Sequence, residues 1–264
     1  DWTLNSFYTL IAFSIISVLL GVFQIIKGFR RWTNLVLGVL IFFFIFGFLV
    51  WGAADKSLNL IGLLMTTMQR AVPITLGAFA GILCERSGVV NIAIEGMMLA
   101  GALTATIVGS VTKNLWLGVL AGMLTGMLMA LLLAWLSIKY KTNQIVVGTV
   151  INILATGLTS YISARFVQVY QNLNSPGTFP VWKIPFLADI PIIGPVFFQN
   201  SMFVYAMLIL MFVIHFALFY TRWGLRVRAV GEHPKAADTL GINVFRTRYI
   251  SVLIGGLMAG LGGA

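Results

Sequence analysis

Two groups of polar side chains lie inside long apolar runs of this 264-residue sequence. Asn91 and Glu95, in "CERSGVVNIAIEGMMLAGAL", are four residues apart, so a continuous helix places them on one face. Thr149, Asn152 and Thr156 follow the spacing i, i+3 and i+7, which also defines one helix face. A carboxylate inside a membrane costs several kcal/mol unless it is paired, protonated or facing water. Both groups fit either a polar path for a solute or hydrogen bonds between helices.

The uncharged hydroxyls and amides of the second group favour a neutral polyhydroxy or heterocyclic solute. Such groups hydrogen-bond a solute without the desolvation cost of a fixed charge. A zwitterion is mildly disfavoured, because its carboxylate would want fixed charges or helix ends. The sequence has neither a phosphate-binding loop motif nor a hydrolase motif. With seven acidic residues and one cysteine, we expect no catalytic residue, cofactor or metal.

A third polar stretch, "RAVGEHPKAADTLGIN", carries the pattern of a short helix. Pro234 suits the first helical turn and Gly241 suits the residue after the end. A helix of about two turns is not stable alone in water. Either a groove on a partner protein or the chain's own surface must hold the side formed by Ala236, Ala237 and Leu240.

The composition predicts an all-α, polytopic membrane protein, since 59% of the residues are hydrophobic and only 9% are charged. The net charge of +10 is explained by basic loops on one membrane face rather than by nucleic-acid binding. We predict about eight crossings, at Phe7–Ile26, Leu35–Ala54, Ala71–Cys84, Val89–Val111, Leu115–Ile138, Ile145–Ala164, Ser201–Tyr220 and Ile250–Ala264.

Basic residues orient the bundle. With the N-terminus outside the cell, the inner loops hold 12 of the 17 Lys and Arg residues. The loop Thr221–Arg248 is then cytosolic, and the proline-rich loop Phe166–Asn200 is an extended outer cap, docking surface or plain connector.

Leu58–Arg70 is expected to lie at the outer interface and bend into the membrane, with one long tilted helix as the alternative. The last run is short for a crossing, so we expect the chain to be cut there, with helices missing after Ala264.

Glycines spaced four residues apart predict close helix packing rather than a solute site. They occur as Gly118, Gly122 and Gly126, as Gly77 and Gly81, and as Gly256 and Gly260.

Two segments, "GLRVRAVGEHPKAADTLGINV" and "ERSGVVNIAIEGMMLAGA", resemble ABC importer permeases of the branched-chain amino acid and simple-sugar superfamily, closest to the nucleoside branch. The resemblance covers about Leu60 to Ala264. It implies a permease core at residues 58–264, with the coupling loop at 221–248, and a variable N-terminal helical hairpin at residues 1–57. It also implies that the short helix docks into an ATPase subunit through Gly231, Glu232, Pro234, Ala236, Ala237, Leu240 and Gly241.

The resemblance further implies three protein partners in the plasma membrane. These are the ATPase, a second permease chain in a heterodimer, and an extracytoplasmic solute-binding lipoprotein. Nucleosides or simple sugars would move inward by alternating access, along a path beside Asn91 and Glu95, and the ATPase would supply the only enzymatic activity. A branched-chain amino acid permease, or a secondary transporter or channel without an ATPase, remains the alternative.

Overall fold

The computed structural model describes residues 6–52, 60–188, 190–191 and 193–264. Eight helices in these ranges are long and apolar enough to cross a membrane, which confirms the predicted polytopic helical bundle. The chain divides into two compact units, Asp1–Leu64 and Met65–Ala264. The predicted domain boundary at residues 57 and 58, and the start of the predicted interfacial helix at Leu58, lie outside the described residues.

The first unit contains a helical hairpin of two apolar helices. These are α1 (Ser6–Ile26) and α2 (Thr33–Gly52), joined through a 3-10 turn at Arg30–Trp32. Phe13 stacks on Phe43 with ring centroids 4.7 Å apart. Aromatic packing of this kind adds to the burial of the two rings.

The second unit contains the other long helices. In chain order the bundle has α3 (Leu60–Glu85), α4 (Ile94–Thr112), α5 (Leu115–Ala134), α6 (Gln144–Ile162), α8 (Met202–Tyr220) and α11 (Val244–Gly263), with the short helices α7 (Ile193–Phe198), α9 (Arg222–Glu232) and α10 (Pro234–Thr239). Helices α5 and α6 continue into π-helical turns at Trp135–Lys139 and Ser163–Val167. A small antiparallel pair joins β1 (Val181–Lys183) to β2 (Gln199–Ser201).

Two helix boundaries differ from the sequence prediction. Residues 60–85 form one continuous helix with Pro73 inside it, as the alternative of one long helix predicted. Helix α11 begins at Val244 rather than Ile250, which gives it 20 residues, enough to span a membrane. Arg246 and Arg248 hid this start, because they interrupt the apolar run.

The predicted cytosolic loop is mostly helical. Helix α9 fills residues 222–232, and Thr221 caps it by accepting a hydrogen bond from the Gly224 N–H at 3.1 Å. Val227 and Val230 are fully buried on one side of this helix. The Thr221 cap and the i, i+3 spacing of these valines were the signals for α9 in the sequence.

The predicted extended loop at residues 166–200 does contain extended backbone, but its end forms α7 and β2. This loop packs over the helix ends beside it. The Ser175 N–H donates to Ser110 Oγ at 3.1 Å, and Phe179 makes edge contacts with Trp116 and Phe203.

Close backbone contact joins α4, α5 and α11. A Cβ added to Gly126 would lie 2.4 Å from the Gly256 oxygen, and one added to Gly260 would lie 2.4 Å from the Gly122 oxygen. A Cβ on Gly118 would lie 2.8 Å from the Ala105 oxygen. The packing role predicted for these glycines is confirmed. Gly77 and Gly81 instead face the side chains of α4.

We predict that Gly126→Ala lowers the stability of the bundle. The added methyl would overlap the α11 backbone at Gly256 and Gly260, and overpacking of this kind costs about 1–3 kcal/mol or more. Gly157→Ala is the matched control, since nothing lies within 4 Å of its added Cβ. The thermal unfolding midpoint in detergent should fall for the first variant and stay or rise for the second, and equal midpoints would contradict the packing model.

Candidate functional site

The segment between α3 and α4, residues 86–93, is not helical, and we call it the α3–α4 linker. It leaves α3 through a tight turn in which Gly88 has a φ of +81°, a conformation that favours glycine. Because α4 begins only at Ile94, Asn91 lies before the helix and Glu95 lies in its first turn. The prediction that Asn91 and Glu95 share one helix face, within a helix starting at Val89, is therefore wrong.

The linker runs back alongside α3 before α4 begins. A Cβ placed on Gly77 or Gly81 would contact Ile94 at 3.5 or 3.4 Å. These glycines lie four to eight residues before the end of α3 at Glu85, which at 1.5 Å per residue is about 6–12 Å along its axis. Helix α4, with Glu95 in its first turn, therefore begins alongside α3 rather than at the C-terminal end of α3. Because α3 is long enough to span the membrane, Glu95 lies at a depth within that span.

Side chains satisfy the backbone of the linker. The Asn91 Oδ1 accepts from the Ala93 N–H at 3.0 Å, and the Gln144 Oε1 accepts from the Val90 N–H at 2.7 Å. Asn152 makes two further bonds: its Nδ2 donates to the Ile92 oxygen at 2.9 Å, and its Oδ1 accepts from the Gly96 N–H at 2.8 Å. Since non-helical backbone inside a membrane needs such partners, these amides stabilise the break between the helices.

The predicted polar stripe on α6 therefore has mixed roles. Asn152 is bound to the backbone of the neighbouring segment, as the structural alternative required. Thr149 and Thr156 are exposed, and their hydroxyls donate to the Ile145 and Asn152 oxygens of their own helix at 2.9 and 2.8 Å. Thr149, Asn152 and Thr156 do not line the open groove that Asn91 and Glu95 line.

An open groove of about 730 Å³ lies between α3, the linker and α4, and we call it the Glu95 groove. Glu95 is exposed and is the only charged residue among its lining. Asn91 also lines it but is only 9% exposed, and its Nδ2 points to the Cys84 and Met97 sulfurs at 3.6 and 3.7 Å. The remaining lining is apolar or small and comprises Pro73, Ile74, Gly77, Ala78, Ile92, Ile94, Met98, Leu99, Ala102 and Gly263.

The charged group that the groove presents to a solute is Glu95. Glu95 offers carboxylate oxygens that accept hydrogen bonds. Its place in the first turn of α4 suits a negative charge, because the helix dipole is positive there. The described residues contain no cluster of three or more His, Cys, Asp or Glu side chains that could hold a metal.

The short helix α10 forms as predicted. Pro234 is its first residue, and Gly241, with a φ of +80°, follows its end. The Gly241 N–H donates to the Asp238 oxygen and the Ile242 N–H donates to the Ala237 oxygen, at 2.9 and 3.1 Å. This pair of bonds is the Schellman motif, which ends a helix sharply.

The side chains predicted to dock α10 do not all face outward. Ala237 is only 3% exposed and packs within the chain, whereas Leu240 is 81% exposed. Ala236 and Glu232 are also exposed. Gly231 packs against the turn after α3, where an added Cβ would overlap the Arg86 oxygen. The chain's own surface therefore supports one side of α10, and its Ala236–Leu240 side is open.

Sequence reasoning missed Arg248, whose Nε donates to the Ser87 oxygen at 3.2 Å. It also missed the Gln144 bond to the linker, although both residues stand out as polar groups beside apolar runs. Pairing residues so far apart in the chain was not possible without the fold.

This arrangement defines a multi-pass helical membrane protein with a non-helical linker between two membrane-length helices, an open groove along that linker and a partly exposed short helix, α10. The family model described as "Branched-chain amino acid transport system / permease component" matches residues 63–264. The chain belongs to this permease family.

Three relatives are named as ABC transporter permeases. The chain is 42% identical over 209 residues to the guanosine permease NupQ of Bacillus subtilis, with 75% of this chain and 64% of NupQ covered. It is 40% identical to the putative glucose permease TsgC13 of Haloferax volcanii, covering 77% and 61%. It is 37% identical to the nucleoside permease NupC of Lactococcus lactis, covering 74% and 63%.

The chain thus spans less than two thirds of the length of each of these relatives. No solved structure matches the chain significantly.

We predict that Asn152→Ala loosens the start of α4. The substitution leaves the Gly96 N–H and the Ile92 oxygen without their partner, and an unpaired group at the buried Gly96 costs about 1–3 kcal/mol. Hydrogen exchange should speed up in the first turn of α4, and the thermal midpoint should fall. Thr149→Ala is the control, because it removes only a bond within its own helix. Unchanged exchange at Gly96 would contradict the role given to Asn152.

Proposed function

We propose that this chain is a permease subunit of an ABC importer that moves nucleosides or related simple sugars into the cell. In this proposal the Glu95 groove is part of the solute path, and α10 docks on a separate ATPase subunit. A second permease chain, in a heterodimer, and an extracytoplasmic solute-binding lipoprotein complete the transporter. Solute moves by alternating access, and ATP is hydrolysed on the partner only.

The single observation that carries the solute proposal is the exposed Glu95 carboxylate, in a groove whose described lining is otherwise apolar or small except for the buried Asn91. An ionised carboxylate accepts hydrogen bonds but donates none, so it suits the hydroxyl groups of a ribose or a hexose. A free amino acid could pair its ammonium group with Glu95, but the described lining offers no cationic side chain to pair its carboxylate. The nucleoside and glucose names of the three relatives agree with this choice.

The groove also has the architecture of known transport sites in general. Secondary transporters place solute sites at broken helices, because a helix that starts inside the membrane offers its polar end to the solute. Here α4 starts beside the linker, with Glu95 in its first turn. Orientation follows from charge: α9, α10 and their basic residues lie in the cytosol, and the N-terminus lies outside.

The docking proposal is based on the exposure of Leu240. A leucine that is 81% exposed at the end of a two-turn helix gains from burial in a partner groove, by about 1.5–3 kcal/mol if it is buried fully. The buried Ala237 holds α10 against the rest of the permease chain. A movement of an ATPase bound to the exposed side of α10 would therefore move the permease as well.

We predict that Leu240→Asp releases the ATPase. A charge placed in an apolar docking groove is costly, so an ATPase recovered with the wild-type complex from native membranes should be lost or strongly reduced. Ala236→Asp should act in the same direction.

Leu225→Asp on α9 is the matched control, because Leu225 is also exposed, at 61%, but lies outside α10. Both leucine variants should keep the wild-type thermal midpoint. If wild-type membranes yield no ATPase at all, a transporter or channel that works without one replaces the ABC proposal.

We predict that Glu95→Gln weakens solute uptake at least tenfold. Hydrogen bonds to charged groups contribute about 1.5–3 kcal/mol, and each 1.4 kcal/mol is a factor of ten. Uptake of labelled guanosine should be measured with unlabelled nucleosides, glucose and leucine as competitors. Glu85→Gln is the control, since Glu85 is exposed at the end of α3 and outside the groove. Equal uptake by both variants would remove Glu95 from the path, and competition by leucine alone would favour an amino acid permease.

A further inference from the structure

The α3–α4 linker joins the two parts of the molecule to which we assign docking and transport. We propose that it carries movement of α9 and α10 to the Glu95 groove, and that Gly231 and Arg248 are the positioning residues that hold it. This inference rests on the proposed function, because it needs an ATPase that moves α10.

The first contact is between the end of α9 and the start of the linker. An added Cβ on Gly231 would lie 2.3 Å from the Arg86 oxygen and 3.3 Å from the Gly88 nitrogen. Ordinary contacts of a Cβ begin at 3.4 Å, so the two backbones touch as closely as glycine permits. Gly231 lies three residues before Pro234, the first residue of α10. A shift of α10 that moves the end of α9 must therefore push or release the linker directly.

Arg248 fastens the same turn to α11. Its Nε donates to the Ser87 oxygen at 3.2 Å, and its Nη2 would lie 3.1 Å from a Cβ on Gly88. Ser87 is fully buried, and its hydroxyl donates to the Cys84 oxygen at 2.7 Å. The turn thus contacts α3, α9 and α11, and the guanidinium holds it to α11.

The other end of the linker forms part of the groove wall. Ile92 lines the groove, and its oxygen accepts from Asn152. A Cβ on Gly148 would lie 3.1 Å from the Ile92 Cβ, so α6 supports the linker from behind. Val89 and Ala93 are fully buried. Because close-packed interiors have low compressibility, a displacement at Gly88 reaches Ile92 and the first turn of α4 rather than being absorbed between them.

One end of the linker thus contacts α9, next to the docking helix α10, and its other end lies in the groove wall. The linker is only eight residues long. A linker that only connected α3 to α4 would need neither the contact between Gly231 and α3's following turn nor the Arg248 bond. That turn is already closed by a hydrogen bond from the Val89 N–H to the Cys84 oxygen at 3.1 Å. The two extra contacts tie this turn to the two elements that flank α10.

The test uses the complete transporter, purified with its ATPase and reconstituted in lipid vesicles. Gly231→Ala forces α9 and the linker apart by about 1 Å, the difference between the 2.3 Å overlap and ordinary contact. We expect the ATPase to stay bound and to hydrolyse ATP, while guanosine uptake per ATP hydrolysed falls at least tenfold. Gly157→Ala is the control, since it makes the same change in open space, and its ratio should match the wild type.

Two substitutions, of which Arg248→Lys is the conservative one, test the role of Arg248. Arg248→Gln removes the guanidinium that binds the Ser87 oxygen and should lower the same ratio. Arg248→Lys keeps a charged donor on a long chain and should restore part of it. If uptake and ATP hydrolysis fall in equal proportion in Gly231→Ala and in Arg248→Gln, the two residues act on stability or docking and the linker proposal is overturned.

A labelling measurement gives a readout that does not depend on uptake. Ile92→Cys places a thiol on the groove wall, where the side chain is 39% exposed, and the native Cys84 is buried, so the parent protein supplies the background. The labelling rate with a water-soluble maleimide should change when ATP and vanadate are added. The change should disappear when Gly231→Ala is combined with Ile92→Cys, and persist with Gly157→Ala.

The outcomes separate the two proposals. If wild-type vesicles take up no guanosine and carry no ATPase, the proposed function fails. If they transport guanosine but nucleotide leaves Ile92→Cys labelling unchanged, or Gly231→Ala still shows the change, the transporter stands and the linker proposal is wrong.

Discussion

The backbone contact of α4, α5 and α11 is the constraint on which the rest of the second unit depends. In lipid there is no hydrophobic force to drive helices together, so close packing must supply the attraction. Gly118, Gly122 and Gly126 provide it, because at these positions the α5 backbone lies directly against the backbones of its two neighbours. The contact fixes α4 and α11 relative to each other. It therefore also fixes Glu95 at the start of one helix and Arg248 near the start of the other.

Once α4 is held in that place, the chain must return to it from the end of α3 without a helix. The linker spans this gap, and its backbone groups cannot be left unpaired in an apolar environment. Gln144 and Asn152 meet this need from α6, and Asn91 meets it from within the linker. The polar residues of α6 are thus explained in part by the helix break, and the groove is a consequence of the same break.

The sequence predicted what depends on periodicity and local chemistry. Spacing by four identified the glycine faces, and Pro234 with Gly241 located both ends of α10. It failed where tertiary contacts decide the outcome. Asn91 and Glu95 have helical spacing, but the chain is not helical from the turn at Gly88 to Ala93, whose N–H donates to the Asn91 side-chain oxygen just before α4 begins. Helix α9 and the start of α11 were missed because arginines interrupt their apolar pattern, and the bond from Arg248 to Ser87 joins residues 161 positions apart.

The environment of Glu95 also explains how a carboxylate persists in an apolar groove. The first turn of a helix carries partial positive charge from its free N–H groups, which stabilises a nearby anion. The Gly96 N–H already donates to Asn152, so it is not available to a solute. The exposed Glu95 carboxylate is the polar group that remains for a solute to contact. Under the proposed function, a groove whose exposed polar group is an acceptor-only carboxylate would select for hydroxyl donors on a molecule with large apolar or aromatic surfaces. We therefore expect a nucleoside, through its ribose and its base, to suit the groove better than a hexose.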